Sequence, residues 1–197
     1  YIQGDEVVHE NYLETIQQAM RKYKDDMRVD GLLFKYIHFY GSYQYVGNSS
    51  KWYTHEIRIV RPHIGVYSYR DAQGFRKNNN EKLNVKEIDA YVYHYGWVKE
   101  PAIMQEKQKT FNALWHDDAW IEKHVGKEEK YDYLRKPIYL KPFTGSHPLV
   151  MKDRIARANW AFNYNSSLFK KARKDWWKDL LRKYTGITLG YKNYKKI

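Results

Sequence analysis

Two stretches limit the folds open to this chain. Residues 83–98 (LNVKEIDAYVYHYGWV) are strand-like and dense in tyrosine, and residues 31–40 (GLLFKYIHFY) are rich in apolar and aromatic side chains. Such runs fit the pleated, half-buried surface of a sheet. Around them, Tyr12, Ile16, Ala19, Met20 and Tyr23 recur at helical spacing, predicting an amphipathic helix over about 11–26. Residues 52–60 alternate like a strand, with Glu56 and Arg58 on one face and Ile57 and Ile59 on the other. Gly41-Ser42-Tyr43 and residues 47–50 read as loop.

From Pro101 the pattern becomes helical. Ile103, Lys107, Thr110, Phe111 and Leu114 mark a helix over 102–115, and Asp117-Asp118 is placed to cap a short helix at Trp120-Ile121. Residues 128–143 read as an exposed, proline-punctuated connection, followed by a helix near 149–158. The last helix, 167–184, carries Phe169, Ala172, Trp176, Trp177, Leu180, Leu181 and Tyr184 on one stripe and lysines and arginines opposite. Gly186 is its expected stop. The stripe suits either a membrane interface or the protein's own core, and docking on the core is the commoner use of such a face.

Composition narrows the chemistry. The 197-residue chain is 43% hydrophobic, enough for a real core, and has no cysteine. Disulfides, thiolate zinc sites and cysteine nucleophiles are thereby excluded. A net charge of +12 favours anionic partners, and 20 Tyr and 7 Trp offer stacking surfaces for bases or sugar rings. No run is apolar enough to span a bilayer and no signal peptide is visible. The chain starts without Met inside what reads as a strand, so we expect a fragment of a longer protein.

Four constellations could carry chemistry. Asp5-Glu6, with His9 and Glu10 close behind, reads equally as a carboxylate site for a hard divalent cation or as an acidic turn capping the next helix. Arg70-Asp71-Ala72-Gln73 could present a general base held ionised by its arginine, or a surface ion pair. His94, in Tyr93-His94-Tyr95-Gly96-Trp97, could ligate a metal or be a hydrogen-bonded core residue. Arg58 and Arg61 could clamp phosphate or sit on an exposed strand edge. No P-loop, metal-ligand helix motif or GxSxG elbow occurs.

The ordered set YIQGDEVVHE, WYxxEIRIVR, SYRDAQGFRK and IDAYVYHYGWV resembles the family-2-type bacterial glycosyltransferases of the GT-A fold, from their metal motif to the C-terminus. The resemblance implies an α/β chain: the C-terminal half of a GT-A domain with a Rossmann-like mixed sheet, over 1–100, then a helical C-terminal region over 101–197. The N-terminal nucleotide-binding half would precede residue 1, so the fragment alone is expected to be inactive and to bind the donor poorly.

The implied reaction moves a sugar from a nucleotide-diphosphate donor to a hydroxyl of a carbohydrate or lipid-linked acceptor, usually with inversion, in cell-surface polysaccharide biosynthesis. Asp5 matches the last Asp of the family's Asp-x-Asp motif, while Gln3 replaces the first and removes one carboxylate. The resemblance thus assigns Asp5, Glu6 and His94 to Mn2+ or Mg2+. It assigns Asp71 as catalytic base with Gln73 as the close alternative, and Arg58, Arg61, Trp52, Tyr69, Arg70 and Trp97 to the substrates. The implied location is cytoplasmic, with peripheral contact at the inner face of the membrane. The rival readings are a basic, aromatic nucleic-acid-binding module, which no recognition motif supports, and a non-catalytic membrane-surface protein.

Overall fold

A computed structural model describes residues 1–62, 64–69, 74–169, 173–185 and 192–197. In chain order the elements are β1 (Glu6–Val8), α1 (Leu13–Tyr23), β2 (Gly31–Tyr40), β3 (Ser42–Gly47), β4 (His55–Val60), β5 (Tyr67–Ser68), β6 (Phe75–Lys77) and β7 (Glu81–Trp97). There follow α2 (Pro101–Asn112), α3 (Asp118–His124), β8 (Leu140–Pro142), α4 (Lys152–Ala156), α5 (Arg173–Thr185) and β9 (Tyr194–Lys196). The fold is mixed α/β: the nine strands described form one mixed sheet.

Its spine is the parallel pair β2–β7, running from Gly31↔Val85 to Tyr40↔Trp97. These are the two aromatic-rich runs that dominate the sequence. β4 lies antiparallel along the first half of β2, and β3 pairs with its end. β7 carries β1 antiparallel near His94 and β9 parallel at its start. One face of the sheet buries Leu32, Phe34, Tyr36, Ile88, Ala90 and Val92 beneath Tyr12, Ile16, Ala19 and Tyr23 of the α1 region. Leu33, Ile57, Phe75, Leu83 and Val85 form a second cluster. Fully burying each such aliphatic or aromatic side chain contributes about 1.5–3 kcal/mol, so these clusters fix the register of the spine.

Several expectations are corrected. Gly41-Ser42-Tyr43 is a reversal leading straight into β3: Gly41 has φ +70°, and Tyr40 pairs with Ser42 across it. A β-carbon at Gly41 would sit 2.5 Å from the Phe162 ring, so space as well as conformation requires glycine there. Residues 128–143 are not an exposed connection. Tyr133, Tyr139 and Leu140 are buried, β8 joins β3, and Tyr40 donates to the carbonyl of Tyr133 at 3.0 Å. The region after residue 101 is therefore not a purely helical extension, because β8 and β9 return to the sheet.

Asp117 does cap α3, accepting from the Trp120 N–H at 2.8 Å. In α5, Trp176 and Trp177 are 49% and 63% exposed, so the tryptophan pair is not sunk in the core. The expected stop at Gly186 lies outside the described residues. No helix among the described residues is long and apolar enough to cross a membrane.

Candidate functional site

Strand β1 begins at Glu6, the second acid of the pair, rather than ending there, and this decides where the two carboxylates go. Glu6 is in register with His94 on β7, and the Tyr95 N–H donates to the Asp5 carbonyl at 2.8 Å. Side chains alternate along a strand, so Asp5 and Glu6 project into different surroundings. The Glu6 side chain has no exposure. Arg58 Nε donates to its Oε2 at 2.7 Å, Arg58 Nη2 and the Tyr36 hydroxyl donate to its Oε1, and the Gln3 N–H reaches Oε2 at 3.2 Å. Both oxygens are occupied by protein donors, so this geometry does not leave Glu6 as a metal ligand. Arg58, 2% exposed and bound to Glu6, is likewise not placed as a phosphate clamp.

Asp5 instead reaches the surface, one third exposed. Its Oδ2 lies 3.7 Å from His94 Nε2 and 3.5 Å from the Lys107 ammonium, which also donates to the Gly96 carbonyl at 3.0 Å. Gly96 makes this convergence possible. A β-carbon there would stand 2.5 Å from Asp5 Oδ2 and 2.6 Å from His94 Nε2.

The protonation of His94 follows from the hydrogen-bond network. His38 Nε2 lies 2.9 Å from the Tyr53 carbonyl, which can only accept, so that nitrogen carries a proton. Burial, reinforced by neighbouring His94, pushes His38 down to about 3, so His38 is neutral at physiological pH and its Nδ1 is a bare acceptor. His94 Nδ1, 3.2 Å away, must then donate to it. Burial also holds the His94 pKa below its ordinary value, against the pull of Asp5. Its Nε2 is therefore a lone pair facing a carboxylate oxygen. The Lys107 ammonium already reaches that oxygen, and a neutral imidazole beside a carboxylate is also a donor set that could take a divalent metal. The ring is oriented through its other nitrogen, as metal-ligating histidines are. Asp5 and His94 could offer a divalent cation two ligands. Among the described residues no group of three or more His, Asp or Glu joins them.

These side chains open into a cleft of about 1240 Å³. Tyr1, Ile2, Gln3, Trp97, Lys99 and one side of α2 line it. The helical stripe of Ile103, Lys107, Thr110, Phe111 and Leu114 lines this cleft instead of packing into the core; Phe111 is 46% and Leu114 68% exposed. Burial first, then Lys107, lowers the Lys99 ammonium below its usual range.

The other residues picked from sequence are dispersed. Trp97 is in the cleft. Trp52 packs flat on Gly47 in a neighbouring cavity. Arg61 donates to the carbonyls of Tyr23, Lys24, Asp26 and Val29 and so closes the C-terminal end of α1, not a phosphate. Tyr69 lies under the Arg76 guanidinium, 4.1 Å from its ring centre. Arg70, Asp71 and Gln73 lie outside the described residues. Lys107, Lys99, Gly96 and His38 were not picked. A lysine inside an otherwise mostly apolar helical stripe was the signal for Lys107; nothing local marked His38.

No protein-family model, no curated protein and no solved structure matches this chain. The fold and site define a mixed α/β protein with an aromatic cleft of mixed charge that holds an Asp–His pair.

Proposed function

We propose that this chain carries the metal and leaving-group side of a GT-A-type glycosyltransferase that uses a nucleotide-diphosphate sugar. The observation that supports the reading is the Asp5 carboxylate and the bare Nε2 of His94 converging, 3.7 Å apart, at the mouth of the cleft. Asp5 and His94 would hold Mn2+ or Mg2+, which when bound supplies positive charge to the diphosphate. Lys107 and Lys99 add fixed cations where the departing phosphates would gather negative charge. Gly96 keeps that approach open. Ile103, Phe111 and Trp97 add apolar and aromatic surface beside it. Asp71, with Gln73 as the alternative, is proposed on the sequence resemblance to accept the proton of the attacking acceptor hydroxyl.

Titration of the chain with UDP, GDP and CDP, with and without Mn2+, tests the reading. Manganese-dependent binding of at least one nucleoside diphosphate, abolished by Asp5→Ala, is expected. Binding that ignores both manganese and Asp5, or none up to millimolar concentrations, overturns it.

A further inference from the structure

Behind Trp97 lies a second cavity of about 760 Å³, walled by α2, α3 and the segment 128–138. That volume is within the range of small-molecule sites. Along α2, Gln105, Gln108 and Asn112 recur at intervals of three and four residues, so one strip of three carboxamides lines it.

The protein engages these amides only in part: Asn112 Nδ2 donates to the Gln108 carbonyl at 2.7 Å. Gln105 is 3% exposed, and its Nε2 meets only the Val125 and Gly126 carbonyls, each at 3.4 Å. Gln108 Nε2 has only the Met104 sulfur at 3.8 Å. Among the described residues no protein donor reaches the amide oxygen of Gln105, Gln108 or Asn112. Gln108 and Asn112 are half-buried, so these oxygens remain available to a ligand or water in the cavity.

Trp52, Trp97 and Tyr131 contribute aromatic surface to the same space. Aromatic surface beside paired donors and acceptors complements a pyranose, which presents C–H faces and a rim of hydroxyls. Charge selects no single sign of ligand. Lys130, Arg135 and Lys136 on the lining are interspersed with Glu128 and Asp132, so charges of both signs face any occupant. Trp97, Gln108 and Asn112 line both cavities, so an occupant of the second would end against the wall of the first.

We infer that the second cavity binds an uncharged saccharide, the segment of an acceptor glycan next to the transfer cleft; its role as acceptor rests on the glycosyltransferase reading. Binding contacts come from the α2 carboxamides and the ring surfaces of Trp52 and Trp97. Acceptor choice would thus be read by α2 and α3, away from the Asp5–His94 pair.

The test is saturation-transfer NMR of the whole chain with a panel of neutral di- to tetrasaccharides of gluco, galacto, manno and N-acetylglucosamine configuration. UMP and a uronic-acid disaccharide serve as anionic controls. At least one neutral saccharide should bind, about tenfold more weakly to Gln108→Ala and to the near-isosteric Gln105→Met, with Asp5→Ala unaffected. Circular dichroism establishes that each variant is folded. Absence of neutral-saccharide binding, equal binding by both variants, or binding of the anionic controls alone overturns the inference. Because Asp5→Ala should retain saccharide and lose manganese-dependent diphosphate binding, failure here and failure of the glycosyltransferase reading are read separately.

Discussion

Asp5 and Glu6 are neighbours in sequence with identical chemistry, yet they belong to different parts of the molecule. Glu6 is sealed beneath the sheet by Arg58 and Tyr36, and every oxygen it offers is taken. Asp5 stands at an open cleft facing a histidine lone pair. The alternation of a strand separates them: one carboxylate holds the fold together and the other is left for a ligand. The pair teaches that an acidic dipeptide cannot be read as one site until the strand's start is known.

The sharpest way to break this comparison is to remove each acid in turn. Glu6→Ala strands the Arg58 guanidinium in the interior, and loss of one partner from a buried pair costs about 3–5 kcal/mol. Denaturant unfolding should record that loss, while Asp5→Asn should stay within about 0.5 kcal/mol of the parent. Equal destabilisation by both would erase the distinction.

A second test uses acid. The fold lowers His38 from 6.5 to about 3. The stability that comes from keeping it neutral is fully present above pH 6.5 and is lost as pH falls towards 3. Glu56 has the opposite sign: burial raises it from 4.5 to about 7, so its contribution is present below 4.5 and lost as pH rises through 7. The unfolding midpoint against pH should fall on both sides, and His38→Asn should flatten the acid limb only.

Gly96→Ala is expected to have a smaller effect on the fold, about 1–3 kcal/mol from overpacking. It should abolish manganese-dependent diphosphate binding by forcing Asp5 and His94 apart. Smallest of all is Lys107→Met. Its ammonium is about one third exposed, so stability should hardly change, while diphosphate affinity falls about tenfold at low salt and less at high salt.

How much of this was legible in the sequence depends on range. The strands β2 and β7, α1 and the Asp117 cap were readable because aromatic density, helical spacing and capping chemistry are local; that β2 and β7 pair in parallel was not. The strand β3 was missed because Gly41 looked like a loop, when it is the hinge of a reversal. Residues 128–143 looked exposed because prolines and charges mask Tyr133 and Leu140, whose burial depends on partners far away in sequence. The same holds for the site. Asp5 and His94 were picked from the residues and from the resemblance, and the structure brings them together. Arg58 and Arg61 looked like phosphate clamps because nothing local reveals that Glu6 and the end of α1 claim them. His38, which sets the proton on His94, is reached only through the register of two strands.

The most direct test of the central claim is long-range 1H–15N correlation NMR of the histidine rings at neutral pH. The account predicts that His94 carries its proton on Nδ1 and presents a bare Nε2 to Asp5. A proton found on Nε2, donated to the Asp5 carboxylate, would make the pair an ordinary closed hydrogen bond and contradict its reading as a cation site.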